Sequence, residues 1–349
     1  MSYGFTDAYP HARVTLMTRR LLPQGAIAAA LEKSLQENAP LFSQTEAQLL
    51  LQDDADQQLR SVEQRRLSLL LNDVLILSRG LFGHAREFLL YWTQIFELMN
   101  LKAILRGRIA GGDPVRDRLL DMGPFARLPV DALLRADSET EMIRILDGTP
   151  FANIAWQARH VVEQRHDLFF LDTALDRIVY NGLAWRAAWV PTQDRRSLER
   201  LMSCVIDGTN LVWLLRYRFF YELPPAEVYY LLIPAGHRFS STHLKEFTGM
   251  QSIEEVLSHL PYPFSEWVSG ATDADQVRGR IQVALRRAAY GALRHSPSPF
   301  VRAYAYLLLR ERDLRQLGGL VTGKVLGIDR ERMRQALRMV PPTTEAIHA

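Results

Sequence analysis

The chain predicts an all-α protein, and three observations carry that reading. Apolar residues recur at helical spacing through most of the 349 residues, clean period-two runs rich in β-branched residues are absent, and proline and glycine gather at a few stops. Leu59 to Leu81 shows the spacing most plainly, with Val62, Leu67, Leu70, Leu71, Val74, Leu75 and Leu77 on a helical pattern. The stops are Gly111-Gly112-Asp113-Pro114, Pro224-Pro225, Pro234-Ala235-Gly236 and Ser296-Pro297-Ser298-Pro299, which read as turns between helices.

Within this helical pattern one short motif occurs three times. The first copy is Glu97-x-x-Asn100-Leu101-x-x-Ile104-Leu105-Arg106-x-Arg108. The second is Asp207-x-x-Asn210-Leu211-x-x-Leu214-Leu215-Arg216-x-Arg218, and the third is Asp313-x-x-Gln316-Leu317-x-x-Leu320-Val321-Thr322-x-Lys324. Each holds an acid, an amide, a leucine, an apolar pair and a final base at one spacing. The copies lie about 110 residues apart, a usual domain size, so the chain reads as three similar units forming a scaffold.

The elements around each motif repeat with it. A long helical stretch precedes each copy: Leu67 to Leu81, Leu171 to Trp185, and Ile281 to Leu293. A turn and a short helix follow, reaching Gly123 in the first copy, Gly236 in the second, and Glu331 to Leu337 after Gly327-Ile328-Asp329 in the third. A further segment occurs twice, each time with a serine in the N-cap region (Ser138, Ser252), an acidic first turn that suits the positive end of the helix dipole, and a close at Pro-Phe (Pro150-Phe151, Pro263-Phe264). Those closes set the expected domains at 1–150, 151–264 and 265–349.

On a helix, Glu97, Leu101, Ile104 and Arg108 form one stripe with Asn100 beside it. Eleven residues separate the acid from the base, too far to pair within one helix, so each is expected to reach groups on neighbouring helices while the amide holds a turn or cap. Under the first reading, Glu97, Asn100, Asp207, Asn210, Asp313 and Gln316 are a satisfied polar cluster that fixes helix register. Under the second, Arg106, Arg108, Arg216, Arg218 and Lys324 face acidic groups of a partner. A catalytic role is disfavoured, because one acid repeated without a histidine or nucleophile beside it does not make an active site.

Composition narrows the class further. At 48% hydrophobic and 23% charged residues the chain is an ordinary globular one, and its single cysteine, Cys204, permits no internal disulfide and suits a reducing compartment as a small buried hydrophobe. Net charge is +3, and the bases are almost all arginine, scattered through helical segments without a dense tract, which disfavours nucleic acid. No run approaches the roughly 18 apolar residues that cross a bilayer, and the N-terminus has no signal-peptide pattern. Gly318 to Lys324 has the G-x-x-x-x-G-K spacing of a phosphate-binding loop, but Val325 stands where the magnesium-holding hydroxyl belongs and no strand precedes it. His160 and His166, six apart, do not share a helix face, so no metal site is expected, and no cofactor. The aromatic run from Trp213 to Tyr221 reads as helix packing or, alternatively, as a partner hot spot.

The three motifs resemble the C-subunit family of the V/A-type rotary ATPases, whose eukaryotic counterpart is the d component of the V-ATPases. The strongest matches are Glu97 to Arg108 and Gln316 to Lys324. Tyr304-Ala305-Tyr306-Leu307 leading into Arg310-Glu311, Pro234 to Gly236, and the opening Tyr9-Pro10-His11-Ala12-Arg13 also fit. The chain departs from the pattern at Gln316 for Asn, Thr322 for Arg and Tyr217 for Gly. The resemblance implies an all-α fold of three similar domains in a pseudo-threefold funnel, and a non-catalytic central-stalk connector, one copy per complex. Such a connector joins the rotating shaft to the membrane proteolipid ring on the cytoplasmic face and carries torque for ion transport coupled to ATP hydrolysis or synthesis. The alternative is an unrelated helical-repeat scaffold for another protein partner.

Overall fold

The computed structural model describes residues 3–51, 55–109, 115–152, 168–234 and 236–337. The turn Gly111 to Pro114, both His160 and His166, Ala235 and the Arg108 side chain lie outside the described residues. Among the described residues the regular elements are helical and no strand occurs, as the apolar periodicity predicts. In chain order the helices are α1 (Tyr3–Met17), α2 (Ala26–Leu31), α3 (Ala39–Gln44), α4 (Ala55–Ser78), α5 (Gly83–Trp92) and α6 (Gln94–Ile109). Next come α7 (Val130–Arg135), α8 (Glu139–Asp147), α9 (Leu168–Trp189), α10 (Arg195–Phe219), α11 (Pro225–Leu231) and α12 (Ser241–Gly249). The last are α13 (Ile253–Ser258), α14 (Phe264–Trp267), α15 (Ala274–His295), α16 (Pro299–Val325) and α17 (Arg330–Ala336). The three motifs sit on α6, α10 and α16.

The helices fall into two compact units. One takes both ends of the chain, Met1–Leu81 with Ala289–Ala349, and the other is Phe82–Ala288. In the first, α16 lies along α4 and also contacts α1, α2 and α17. The start of α16 is set by Ser298, whose hydroxyl accepts the Val301 amide, with Pro299 inside the first turn where a missing N–H costs nothing. Its end is set by Gly327 at φ +64°, which lets the Ile328 amide donate back to the Gly323 carbonyl at 2.9 Å. Between α4 and α16, Leu67, Leu70, Val74, Tyr304, Leu307, Leu314 and Leu317 are fully buried. Within that core Asp73 accepts from the Tyr306 hydroxyl at 2.7 Å and from Arg310 Nε at 3.0 Å, while its other oxygen pairs with Arg20. A buried charge pair is stable only when its remaining polar atoms are also bonded, and here both carboxylate oxygens are.

The second unit has two apolar cores of one design. The first gathers Leu98, Leu101, Ile104 and Leu105 of α6 with Leu133 of α7, Met142 and Leu146 of α8, Phe151, and Leu175 and Val179 of α9. The second gathers Leu211, Leu214 and Leu215 of α10 with Leu231, Leu244, Phe247, Val256, Phe264, and Val277 and Ile281 of α15. In both, the motif's leucine and apolar pair point into the core, and the phenylalanine of the Pro-Phe close is fully buried. The capped helices repeat too: the Ser138 and Ser252 hydroxyls accept the Glu141 and Glu255 amides, and those glutamates accept the amides of Asp137 and Gln251 in return.

Candidate functional site

The motif's polar residues each grip the backbone of a loop. Asn210 is fully buried on α10, and its side-chain amide forms a two-way pair with Ile233: Nδ2 donates to the carbonyl at 2.9 Å and Oδ1 accepts the amide at 2.8 Å. Asn100 on α6 makes the same pair with Leu120, both bonds at 2.7 Å. Gln316 on α16 keeps half of it, a single contact from Nε2 to the Leu337 carbonyl at 3.5 Å. The extra methylene of glutamine moves the amide head out of the position from which asparagine meets both backbone groups.

The acids, three residues earlier, take the same loops a few residues further on. Asp207 accepts the amides of His237 at 3.0 Å, Arg238 at 2.9 Å and Phe239 at 3.4 Å, and the Ser203 hydroxyl one turn back at 2.7 Å. Glu97 accepts the amides of Arg127 and Leu128 on Oε1 at 2.5 and 2.6 Å, and its buried Oε2 has no hydrogen-bond partner. Burial pushes both carboxyls up, against the backbone donors that favour the charged form, and burial holds the His237 imidazole down despite the nearby Asp207. Asp313 accepts the Leu22 amide at 2.8 Å, from the other end of the chain. Each motif is therefore a clamp with two arms.

The loop in the second clamp depends on one glycine. A Cβ at Gly236 would lie 2.3 Å from the Phe239 carbonyl oxygen and 2.8 Å from Asp207 Oδ1, so any side chain would push the loop off the carboxylate. Pro234 to Gly236 reads in sequence only as a turn; its close approach to Asp207 has no signature there.

The motif bases divide into two kinds. Arg106 is exposed and pairs with Asp172, and Arg216 pairs with Asp275 at 2.8 Å, each reaching the long helix that follows. Arg218 donates to the carbonyls of Thr248 at 2.7 Å, Leu223 at 3.0 Å and Met250 at 3.4 Å, and Lys324 donates to Leu31 at 3.0 Å. The Gly318 to Lys324 segment lies wholly within α16 and so cannot wrap a phosphate. Its glycines make room for neighbours, since a Cβ at Gly323 would meet Met333 Sδ at 2.4 Å. Tyr217, where the resemblance has glycine, packs beside α9 against Phe169 and Thr173. Among the described residues no cluster of His, Cys, Asp and Glu is arranged to hold a metal, and no described helix is long and apolar enough to cross a membrane.

The comparison with known proteins decides the family. Residues 10–336, which include all three motifs, match the profile described as ATP synthase (C/AC39) subunit. The chain belongs to that family. Among its curated relatives, the A-type ATP synthase C subunit of Thermococcus kodakarensis is 23% identical over 328 residues, covering 92% of this chain and 86% of that protein. The C subunit of the Methanococcoides burtonii A-type ATP synthase is 21% identical over 350 residues, covering 95% and 93%. That of Methanosphaera stadtmanae is 25% identical over 264 residues, covering 74% and 66%. Sequence reasoning singled out the residues on the clamp helices of this C/AC39 chain. It missed their partners, because those are backbone amides and carbonyls of Leu120, Arg127, Leu128, Ile233 and His237 to Phe239, groups every residue type carries.

Proposed function

We propose that this chain is a non-catalytic component of an A/V-type rotary ATPase, seated in the central stalk between the rotating shaft and the proteolipid ring. The observation that carries the reading is the family match from residue 10 to residue 336, together with relatives named as C subunits of A-type ATP synthases that align over most of their own length. The role needs stiffness, and the clamps support it: a loop held through both its backbone amide and carbonyl cannot slide without breaking buried hydrogen bonds.

The packing order supports a three-part arrangement with domains near 1–150, 151–264 and 265–349. The motif helix α6 packs on α9, the long helix of the next repeat, and α10 meets α15, the long helix of the third. α16 packs on α4, the long helix of the first. The pseudo-threefold funnel is proposed from the family resemblance.

Partner contact is assigned to the accessible bases Arg106 and Arg216, which can exchange Asp172 and Asp275 for acidic groups of a partner. The chain would then sit peripherally on the cytoplasmic face, one copy per complex. The test is co-purification of the intact chain with a co-expressed shaft protein and with a detergent-solubilised proteolipid ring, at low and high salt. A one-to-one complex with either, weakened by salt and by Arg106→Glu with Arg216→Glu, is the expected result. A folded chain that binds neither overturns the reading; binding that ignores salt overturns only the role of the bases.

A further inference from the structure

The seat of α1 turns on one histidine whose two ring nitrogens have fixed and opposite roles. His11 Nε2 lies 3.1 Å from the Pro297 carbonyl oxygen, and Nδ1 lies 2.8 Å from Arg302 Nη1. A carbonyl oxygen only accepts and a guanidinium only donates, so Nε2 carries the proton and Nδ1 presents a lone pair. Both bonds hold only in the neutral ring. Arg302 is the hub of the contact: its Nε donates to the Leu293 carbonyl at 3.0 Å and its Nη2 to Thr15 Oγ1 at 2.9 Å. The Thr15 hydroxyl donates its own proton to the His11 carbonyl at 2.9 Å, so towards Arg302 it too can only accept.

The charged groups near the ring are basic. Arg302 faces it from α16, and Arg13, its neighbour on α1, donates to the Tyr9 hydroxyl at 3.1 Å. The end of α15 carries the exposed Arg294 and His295. α4 meets this part of α1 at Gly80, where a Cβ would lie 3.2 Å from Pro10 and 3.3 Å from Tyr9, beside the exposed Arg79. Among the described residues no carboxylate pairs with His11 or with Arg302, whose guanidinium burial pulls down. A second proton on His11 therefore turns an acceptor into a donor aimed at a cation. α1 also leans on this seat, because Pro10 removes one hydrogen bond from its interior.

We propose that His11 is a pH-sensitive latch, holding α1 on the turn between α15 and α16 while its ring is neutral and loosening it on acidification. Protonation drives Arg302 away from Nδ1, and the guanidinium that turns away gives up Thr15 as well. Arg302 keeps the Leu293 carbonyl and is only half-buried, so its freed N–H groups hydrate and no charge is stranded. Val14 and Met17 remain as buried apolar anchors, so α1 is loosened and not expelled. The latch does not depend on the rotary-complex reading, since every contact it uses is within the chain.

The test is hydrogen exchange of the intact protein, read by mass spectrometry at about pH 7.5 and about pH 5.5 and compared as protection factors, so that the pH dependence of exchange itself cancels. Protection of 8–17 is expected to fall about tenfold at the lower pH, the weight of one charge-assisted hydrogen bond, while 303–317 in α16 changes by less than about threefold. His11→Asn keeps an acceptor for Arg302, loses the bond to Pro297 and cannot titrate. Its protection of 8–17 should be lower throughout but level between the two pH values to within about threefold. Arg302→Gln removes the opposing cation and should level the response likewise. Protection of 8–17 that ignores pH in the unaltered protein overturns the proposal, as does an α1 already unprotected at the higher pH. A fall of the same size in His11→Asn overturns it too, because the titrating group then lies elsewhere.

Discussion

Replacing Asn210 with leucine separates the hydrogen-bonding job of the clamp from its shape. Leucine branches at Cγ as asparagine does, so no cavity forms, and what is lost is the pair of bonds to Ile233 at 2.9 and 2.8 Å. Asn210 and Ile233 are both fully buried, so no water replaces them. Each stranded backbone group costs about 1–3 kcal/mol, roughly 4 for the two. The added apolar contact returns about 1 kcal/mol, leaving a net loss of about 3 kcal/mol. Asn100→Leu should cost less, about 1–2 kcal/mol, because Leu120 is only half-buried and its freed groups can hydrate. Gln316→Leu should cost under about 1 kcal/mol, since it breaks one contact of 3.5 Å. Urea denaturation followed by helical circular dichroism gives the three values, and hydrogen exchange at 231–239 shows whether the second loop has come loose. The reasoning is wrong if Gln316→Leu costs as much as Asn210→Leu, or if Asn210→Leu costs less than about 1 kcal/mol.

Gly236→Ala should destabilise by about 2–3 kcal/mol, because its Cβ meets the Phe239 carbonyl oxygen at 2.3 Å. Gly279→Ala, mid-helix in α15 with no atom within 4 Å, should stabilise by about 0.5–1 kcal/mol in the same denaturation assay. Glu97→Gln keeps an oxygen for the Arg127 and Leu128 amides and removes a carboxyl that burial pushes above 4.5. The folded wild type binds that proton more tightly than the unfolded chain, so its stability falls as pH rises past about 4.5. The variant lacks that fall and should gain on the wild type as pH increases; a relative loss would mean that the amides, not burial, dominate the site. Cys204 is buried and its thiol is pushed up to about 12, so a thiol reagent near neutral pH should label it no faster than the protein unfolds. Rapid labelling of the native protein would place Cys204 elsewhere.

The fold class was legible because helical spacing of apolar residues is a property of the sequence itself, and it delivered α4, α6, α10 and α16 without reference to anything distant. The clamp residues were legible for a weaker reason. Acid and amide recur at one spacing because both must stand on the same side of a helix turn, and Asp207 with Asn210 shows why: they hold His237 and Ile233 in one loop. What the residues hold was not legible, since an amide N–H leaves no trace in the side-chain alphabet. The third copy makes the point physically. Its amide still reaches about twenty residues downstream, to Leu337, much as Asn100 reaches Leu120, yet its acid reaches back to Leu22. The motif thus specifies an acceptor in the acid and a donor in the amide on one helix face, and not the distance to their backbone partners. Any chain segment that brings a free amide to that face satisfies it. This is why the third copy can replace Asn with Gln and Arg with Thr: Arg310 and Lys324 hold the Arg20 and Leu31 carbonyls on either side of Leu22, and the register that the amide sets in the other copies is set here by the segment itself.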